Sequence, residues 1–258
     1  MVFQQIRNAT IIIKYDGIKI LVDPWLVEKG SQRAITSPDK NKNKILNPTA
    51  KLPMSVNETV EGIDICIITH LHIDHYDEES FCKLARNIKV YVQNQEDYEI
   101  IKKLGYENLE ILSETGNIYG NLTIYKTKAM HGETLEKAEG EACGFIIRKE
   151  KEPTLYVAGD TVFYDEVKET ILKNKPDVIV INACDARLKD TGRLIMNLGD
   201  IITTHQTLPS AKLIVSHLDA VNHAYITRKD VKELIKVQEL DNVIVPNDGE
   251  ILTFSKGI

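Results

Sequence analysis

Thr69-His70-Leu71-His72-Ile73-Asp74-His75 follows directly on the apolar run Ile63-Asp64-Ile65-Cys66-Ile67-Ile68, and it holds three of the chain's seven histidines. In an extended segment alternate residues point the same way, so His70 and His72 present two imidazoles to one point. A turn beyond Ile73 brings Asp74 and His75 round from another side. Imidazole and carboxylate at that density are ligands for first-row transition metals.

The same pattern, a strand with a ligand just past its carboxyl end, recurs along the chain. Leu122–Thr127 alternates as a strand and is followed by His131. Thr154–Ala158 runs into Gly159-Asp160-Thr161, and Ala211–Ser216 ends at His217. Sites in α/β proteins gather outside the carboxyl ends of strands, so residues far apart in sequence can meet there. Sorted by position, His70, His72 and His131 supply three nitrogens for one ion. Asp74, His75 and His217 supply a mixed set for a second, and Asp160 can bridge, one oxygen to each. Two ions roughly 3.5–4 Å apart form an arrangement that activates a shared hydroxide and clamps a displacement.

With His131, Gly159-Asp160-Thr161 and His217, the set His70-x-His72-x-Asp74-His75 resembles the metallo-β-lactamase fold of metal-dependent hydrolases over nearly the whole chain. Gly144–Ile147 and Leu155–Thr161 resemble that family's hairpin into the bridging aspartate. His217-Leu218-Asp219-Ala220-Val221-Asn222-His223 resembles the narrower ascorbate-6-phosphate lactonase-like group. Periodicity alone gives an α/β or α+β chain. The resemblance implies a four-layer αββα sandwich filling 1–258 as a single domain. It also implies a dinuclear hydrolase that opens a lactone or cleaves a related ester of a small metabolite, an anionic one included. Asp74 would orient the nucleophile as well as bind metal, and His223 would act as a hydrogen-bond donor or proton carrier. The expected cofactors are two divalent ions, zinc or manganese, with iron open. A phosphodiesterase or nuclease of the same fold is the alternative. A non-catalytic metal-binding protein is the alternative of another class, although every expected ligand position is filled.

The 258 residues carry a net charge of −6, with 43% hydrophobic and 27% charged residues. That balance is ordinary for a soluble protein, and the net charge disfavours the basic face of a nucleic-acid binder. The four cysteines are widely spaced, and no apolar run approaches the roughly 18 residues of a membrane span. The expectation is a reduced, cytoplasmic protein without membrane contact, with a homo-oligomer left open.

Asp16-Gly17 between Ala9–Tyr15 and Ile18–Val22 signals a hairpin. Residues 23–61 carry four prolines and little periodicity, which predicts a mobile segment or a substrate lid, with Trp25 in the pocket wall or the core. Asp77 predicts a helix N-cap. Strands are expected at Lys89–Gln93, Leu109–Leu112, Asp177–Asn182, Asn242–Val245 and Ile251–Phe254. Helices are expected at Glu96–Leu104, Leu198–His205 and Arg228–Val237. Cys184-Asp185 falls at another strand end, near the mouth. His205 and His223 rival His217 as ligands, the strand-end rule favours His217, and His205 is read as a helix-face residue. Asp64 is read as an imidazole-orienting carboxylate or a strand-end charge, and Asp23 mainly as a turn former. Arg187, Arg193 and Arg228 are candidates for receiving an anion, or solvated charges.

Overall fold

Strands that are apolar on both faces must be covered on both sides, and this requirement shapes the molecule. The computed structural model describes residues 1–134, 136 and 138–256. β1 (Val2–Arg7), β2 (Thr10–Tyr15) and β3 (Ile18–Val22) form an antiparallel meander. Asp16 and Gly17 both take positive φ, 47° and 85°, as a two-residue primed hairpin turn requires. β4 (Ile65–Ile67), β5 (Lys89–Val92) and β6 (Leu109–Ile111) then add in parallel to β3.

The second sheet starts with β7 (Asn117–Tyr119), β8 (Leu122–Lys128), β9 (Cys143–Arg148) and β10 (Leu155–Val157). β11 (Val178–Asn182) follows, then a small hairpin of β12 (Arg187–Leu188) and β13 (Gly192–Arg193), then β14 (Lys212–Ser216) and β15 (Val243–Ile244). β16 (Ile251–Thr253) returns to the first sheet and pairs with β1. Among the described residues the two large sheets each have seven strands, in the orders β16-β1-β2-β3-β4-β5-β6 and β15-β14-β11-β10-β9-β8-β7.

Alternate residues of these strands build three apolar layers. Ile11, Ile13, Ile65, Ile67, Phe145, Ile147, Val178 and Val180 pack between the sheets. Their neighbours Ile12, Leu21, Cys66, Val90 and Val92 face outward with α2 (Glu78–Phe81), α3 (Gln95–Lys102) and α1 (Val56–Val60). On the other outer face, Ile146, Tyr156, Ile179, Ile181, Leu213 and Val215 meet Val167 and Ile171 of α4 (Asp165–Asn174), Ile201 of α5 (Leu198–Thr207) and Val231 of α6 (Arg228–Gln238). This is the expected αββα arrangement. No helix among the described residues is long and apolar enough to cross a membrane.

β8, β10, β11 and β14 run in one direction, because β8 and β10 are each antiparallel to β9 while β11 and β14 are parallel to β10. The segments after their carboxyl ends therefore leave the sheet on one edge. The same edge receives the loop after β4.

Residues 23–61 are largely irregular before α1 and are tied to the rest of the molecule by buried hydrogen bonds. Trp25 is fully buried. Its indole donates to Gln32 Oε1 at 3.0 Å, and Arg7 stacks on its ring while donating to the carbonyls of Trp25 and Val27. The Asn222 side chain accepts from the Ile35 amide and Asn47 Nδ2 and donates to the Ile35 and Lys42 carbonyls, at 2.8–3.1 Å. Buried anchors of this kind raise the cost of local opening.

Candidate metal centre

Five imidazoles and two carboxylates from the loops after β4, β8, β10 and β14 meet at the sheet edge. Three groups of candidate ligand atoms each lie within 4.8 Å of one another: His70, His72 and His131; His70, His75 and Asp160; and Asp74, His75 and His217. The ligands expected from the sequence are thus brought together, in the expected two sets with Asp160 between them.

The outer hydrogen bonds decide which nitrogen of each ring faces inward. Asp23 Oδ1 accepts from the Thr69 amide, and Oδ2 accepts from the Thr69 hydroxyl at 2.7 Å and from His75 Nδ1 at 2.8 Å. With its hydrogen committed to Asp23, the Thr69 oxygen can only accept from His70 Nδ1, 3.1 Å away. His131 Nδ1 donates to the Leu194 carbonyl at 3.2 Å, and His217 Nδ1 stands 3.4 Å from Cys184 Sγ. In the neutral rings of His70, His75 and His131 the inward Nε2 is therefore the lone-pair nitrogen.

Those nitrogens crowd one largely buried space. His70 Nε2 is buried with no hydrogen-bond partner. His72 Nδ1 faces His131 Nε2 at 3.2 Å, and His75 Nε2 faces His217 Nε2 at 3.3 Å. Nitrogen lone pairs pointed at each other beside two carboxylates fit a shared cation, so the residues suit divalent metal. Burial alone would raise Asp74 and Asp160, yet the surrounding imidazoles hold both well below the usual carboxylate range. Burial lowers His75, but Asp160 and Asp23 together lift it to about 10, so in the metal-free protein a proton stands between Nε2 and Asp160 where a cation would displace it. Such opposed fields mark a site built around charge.

Asp160 differs from the reading of one oxygen per ion. Its Oδ1 accepts from Asn182 Nδ2 at 2.7 Å. Its Oδ2 alone faces His75, His131 and His217, at 3.1, 3.6 and 3.9 Å, so one oxygen serves both sets. Gly159 explains how the chain delivers it: φ is +69°, and a Cβ there would lie 2.3 Å from the Cys143 carbonyl oxygen. His217, Asp23, Asn8 and Asp185 also hold positive φ, a concentration of backbone strain of the kind found at functional sites.

The structure also places the other candidates. Asp23 orients His75 rather than merely making a turn. Asp64 caps the far end of the sheet by accepting from the Lys19 amide at 2.8 Å. His205 lies on α5, outside the ligand groups. Arg187 is paired with Asp185, Arg193 with Glu133 and Asp200, and Arg228 with Asp219 and Asp248. Sequence reasoning missed Asn8, whose Nδ2 stands 3.0 Å from both the Asp74 carbonyl and His217 Nε2. It also missed Asn182, Thr69 and Glu139.

A cavity of about 270 Å³ opens over the cluster. His72, Asp74, His131, Asp160 and His223 form its polar floor, and Ile35, Leu71, Ile73, Ala186, Leu188 and Leu194 its walls, with Glu139 at the side. No lysine or arginine is among these described lining residues. His223 Nδ1 is buried without a partner, and burial pushes this imidazole down to about 4, so it is neutral.

The profile of the Beta-lactamase superfamily domain matches residues 19–218. UPF0173 protein YddR of Bacillus subtilis (strain 168) is 40% identical over 253 residues, covering 97% of this chain and 98% of that protein. The isothiocyanate hydrolase from Delia radicum gut bacteria superposes with a TM-score of 0.93 at 32% identity, over 99% of this chain and 100% of that one. A possible metal-dependent hydrolase from Veillonella parvula DSM 2008 does so with 0.93 at 31%, over 98% and 99%.

Proposed function

The chain belongs to the beta-lactamase superfamily and, within it, to the UPF0173 metal-dependent hydrolases, and on that premise we propose that it is a two-ion hydrolase of small, uncharged, apolar-tailed electrophiles. The observation that carries the substrate class is the cavity: aliphatic walls, a ligand floor, and, among the described lining residues, no lysine or arginine to receive an anion. The charge of a phosphodiester would have to be offset by the proposed ions alone, with no help from the described wall residues.

His70, His72 and His131 would hold one divalent ion and Asp74, His75 and His217 the other, with Asp160 Oδ2 shared; zinc suits the nitrogen-rich set and manganese the more oxygen-rich one. When bound, such ions supply Lewis acidity and lower the pKa of a water to about 7. Asp74 lines the cavity and stays ionised, so it accepts a hydrogen bond from the attacking water and fixes its approach. The aliphatic walls exclude bulk water and seat the substrate tail. Neutral His223 offers a nitrogen at the cavity floor for the departing heteroatom.

Isothiocyanates are the first candidate, supported by the full-length likeness to the isothiocyanate hydrolase. Water would add to the central carbon, the C–N bond would break, and the nitrogen would leave protonated as an amine with carbonyl sulfide as the other product. Lactones and simple esters are the second reading. Of the segment that resembles the lactonase-like group, Asn222 ties down the 35–47 loop and Asp219 pairs with Arg228, which leaves His223 as its contribution to the cavity.

Metal analysis of gently purified protein should approach two ions per chain, and His72→Ala should sharply lower occupancy of the first site. The loaded protein should turn over an apolar isothiocyanate or a lactone faster than a phosphodiester. Preference for the phosphodiester would overturn the substrate class, and full metal retention in His72→Ala would overturn the ligand assignment.

A further inference from the structure

Of the five clustered imidazoles, four have an outer partner: Thr69 for His70, Asp23 for His75, Leu194 for His131 and Cys184 for His217. His72 is the exception. Its Nδ1 faces inward, towards His131 Nε2. A neutral imidazole that offers Nδ1 to a metal must carry its hydrogen on Nε2. No hydrogen bond to that donor exists among the described residues.

A buried carboxylate oxygen without a donor lies in a second groove that His72 also lines. The groove, about 650 Å³, is lined by His70, His72, Gln93, Asp97 and Glu141 among others. Asp97 is only 7% exposed, and its Oδ2 is a buried acceptor with no donor. Its place on α3 makes this unusual. Asp97 is the third residue after the N-cap Asn94, whose side chain accepts from the Asp97 amide. At the same position Glu58, Asp200 and Asp230 of three of the four other side-chain-capped helices reach back to their N-cap amides. Asp97 makes no such return bond.

We propose that Asp97 is the positioning residue for His72, accepting from its Nε2–H directly or through one water held in the groove. A carboxylate behind a metal-binding imidazole fixes the tautomer and ring orientation and raises the basicity of the ligating nitrogen. Burial raises the Asp97 carboxyl, the Gln93 side chain pulls it back, Glu96 and Glu141 add to the rise, and His72 lowers it by a smaller amount. The α3 amino terminus adds a favourable field for its charge. The groove is not a third metal site, because its acidic atoms form no further ligand grouping among the described residues.

The inference rests on the two-ion reading, and the test separates the two. Stepwise metal affinities are measured by chelator competition on wild type, Asp97→Ala and Asp97→Asn, with thermal unfolding of each metal-free protein alongside. Asp97→Ala should weaken one ion by about 10- to 100-fold while leaving the other within experimental error. Asp97→Asn, which keeps an acceptor oxygen, should fall between Asp97→Ala and wild type. Nitrogen-15 shifts of the His72 ring in the loaded protein should change in Asp97→Ala with those of His75 unmoved. Wild-type affinities in Asp97→Ala would overturn the role of Asp97 alone. Equal weakening at both sites, with a matching drop in metal-free melting temperature, would reduce it to a helix-stabilising residue. Wild-type protein that binds no metal would overturn the two-ion reading and the inference together.

Discussion

Replacing Asp23 by asparagine changes no volume and almost no shape, yet it should disable one metal site. The native carboxylate accepts three hydrogen bonds, from the Thr69 amide, the Thr69 hydroxyl and His75 Nδ1. An asparagine that keeps its oxygen towards the Thr69 amide puts an NH2 where Oδ2 stood. That group donates to the Thr69 hydroxyl and forces His75 Nδ1 to accept, which moves the ring hydrogen to Nε2, the nitrogen that faces Asp160 and His217. The ligand lone pair is lost without any loss of packing. Changes of this kind behind a ligand cost about 10- to 100-fold in metal affinity, or roughly 1.4–2.8 kcal/mol at 1.4 kcal/mol per tenfold. Asp23→Ala acts differently. It strands three buried donors at about 1–2 kcal/mol each, hence about 3–6 kcal/mol in all, against a total stability of about 5–15 kcal/mol. Because the three bonds share one acceptor, that sum is an upper bound. Chelator competition and urea unfolding of the metal-free proteins separate the two variants: Asp23→Asn should keep the unfolding midpoint and lose one ion, and Asp23→Ala should lose both. Asparagine binding both ions as tightly as wild type would show that Asp23 does not set the His75 tautomer.

Two further outcomes follow from the site and its wall. Asp160→Ala should abolish turnover and weaken both ions, because a single oxygen faces both ligand sets; Asp160→Asn should do the same, since Asn182 holds the remaining oxygen and turns the new NH2 into the cluster. Near-native hydrolysis by either variant would make the shared-oxygen role untenable. Asn222→Ala removes the clamp on Ile35, Lys42 and Asn47, which should cost about 2–4 kcal/mol and raise KM more than it lowers kcat, with faster amide exchange across 35–47. Unchanged exchange there would mean that other contacts hold the wall.

The ligands were legible because chain neighbours and strand ends place them: one loop carries four of the seven, and the other three each follow an apolar run. Helix α4 was not legible. Only Val167 and Ile171 of its ten residues are buried, Leu172 is exposed, and Tyr164 gives no side-chain cap, so neither a full apolar stripe nor a capping residue announces it. The firmness of residues 23–61 was hidden for another reason. Prolines and polar residues suggest looseness, whereas the anchors are Arg7 and Asn222, which no local window contains. Asp23 is the instructive miss. The rule that found His70, Asp160 and His217 is that the residue just past a strand's carboxyl end lies at the mouth, and Asp23 stands just past β3. The strong hairpin signal directed attention to the antiparallel pairing of β2 with β3. The parallel pairing of β3 with β4, which sends Asp23 out on the same edge as His70, depends on a contact across more than forty residues. Strand-end position therefore carries information about the residues that aim the ligands as well as about the ligands, once the direction of each strand is known.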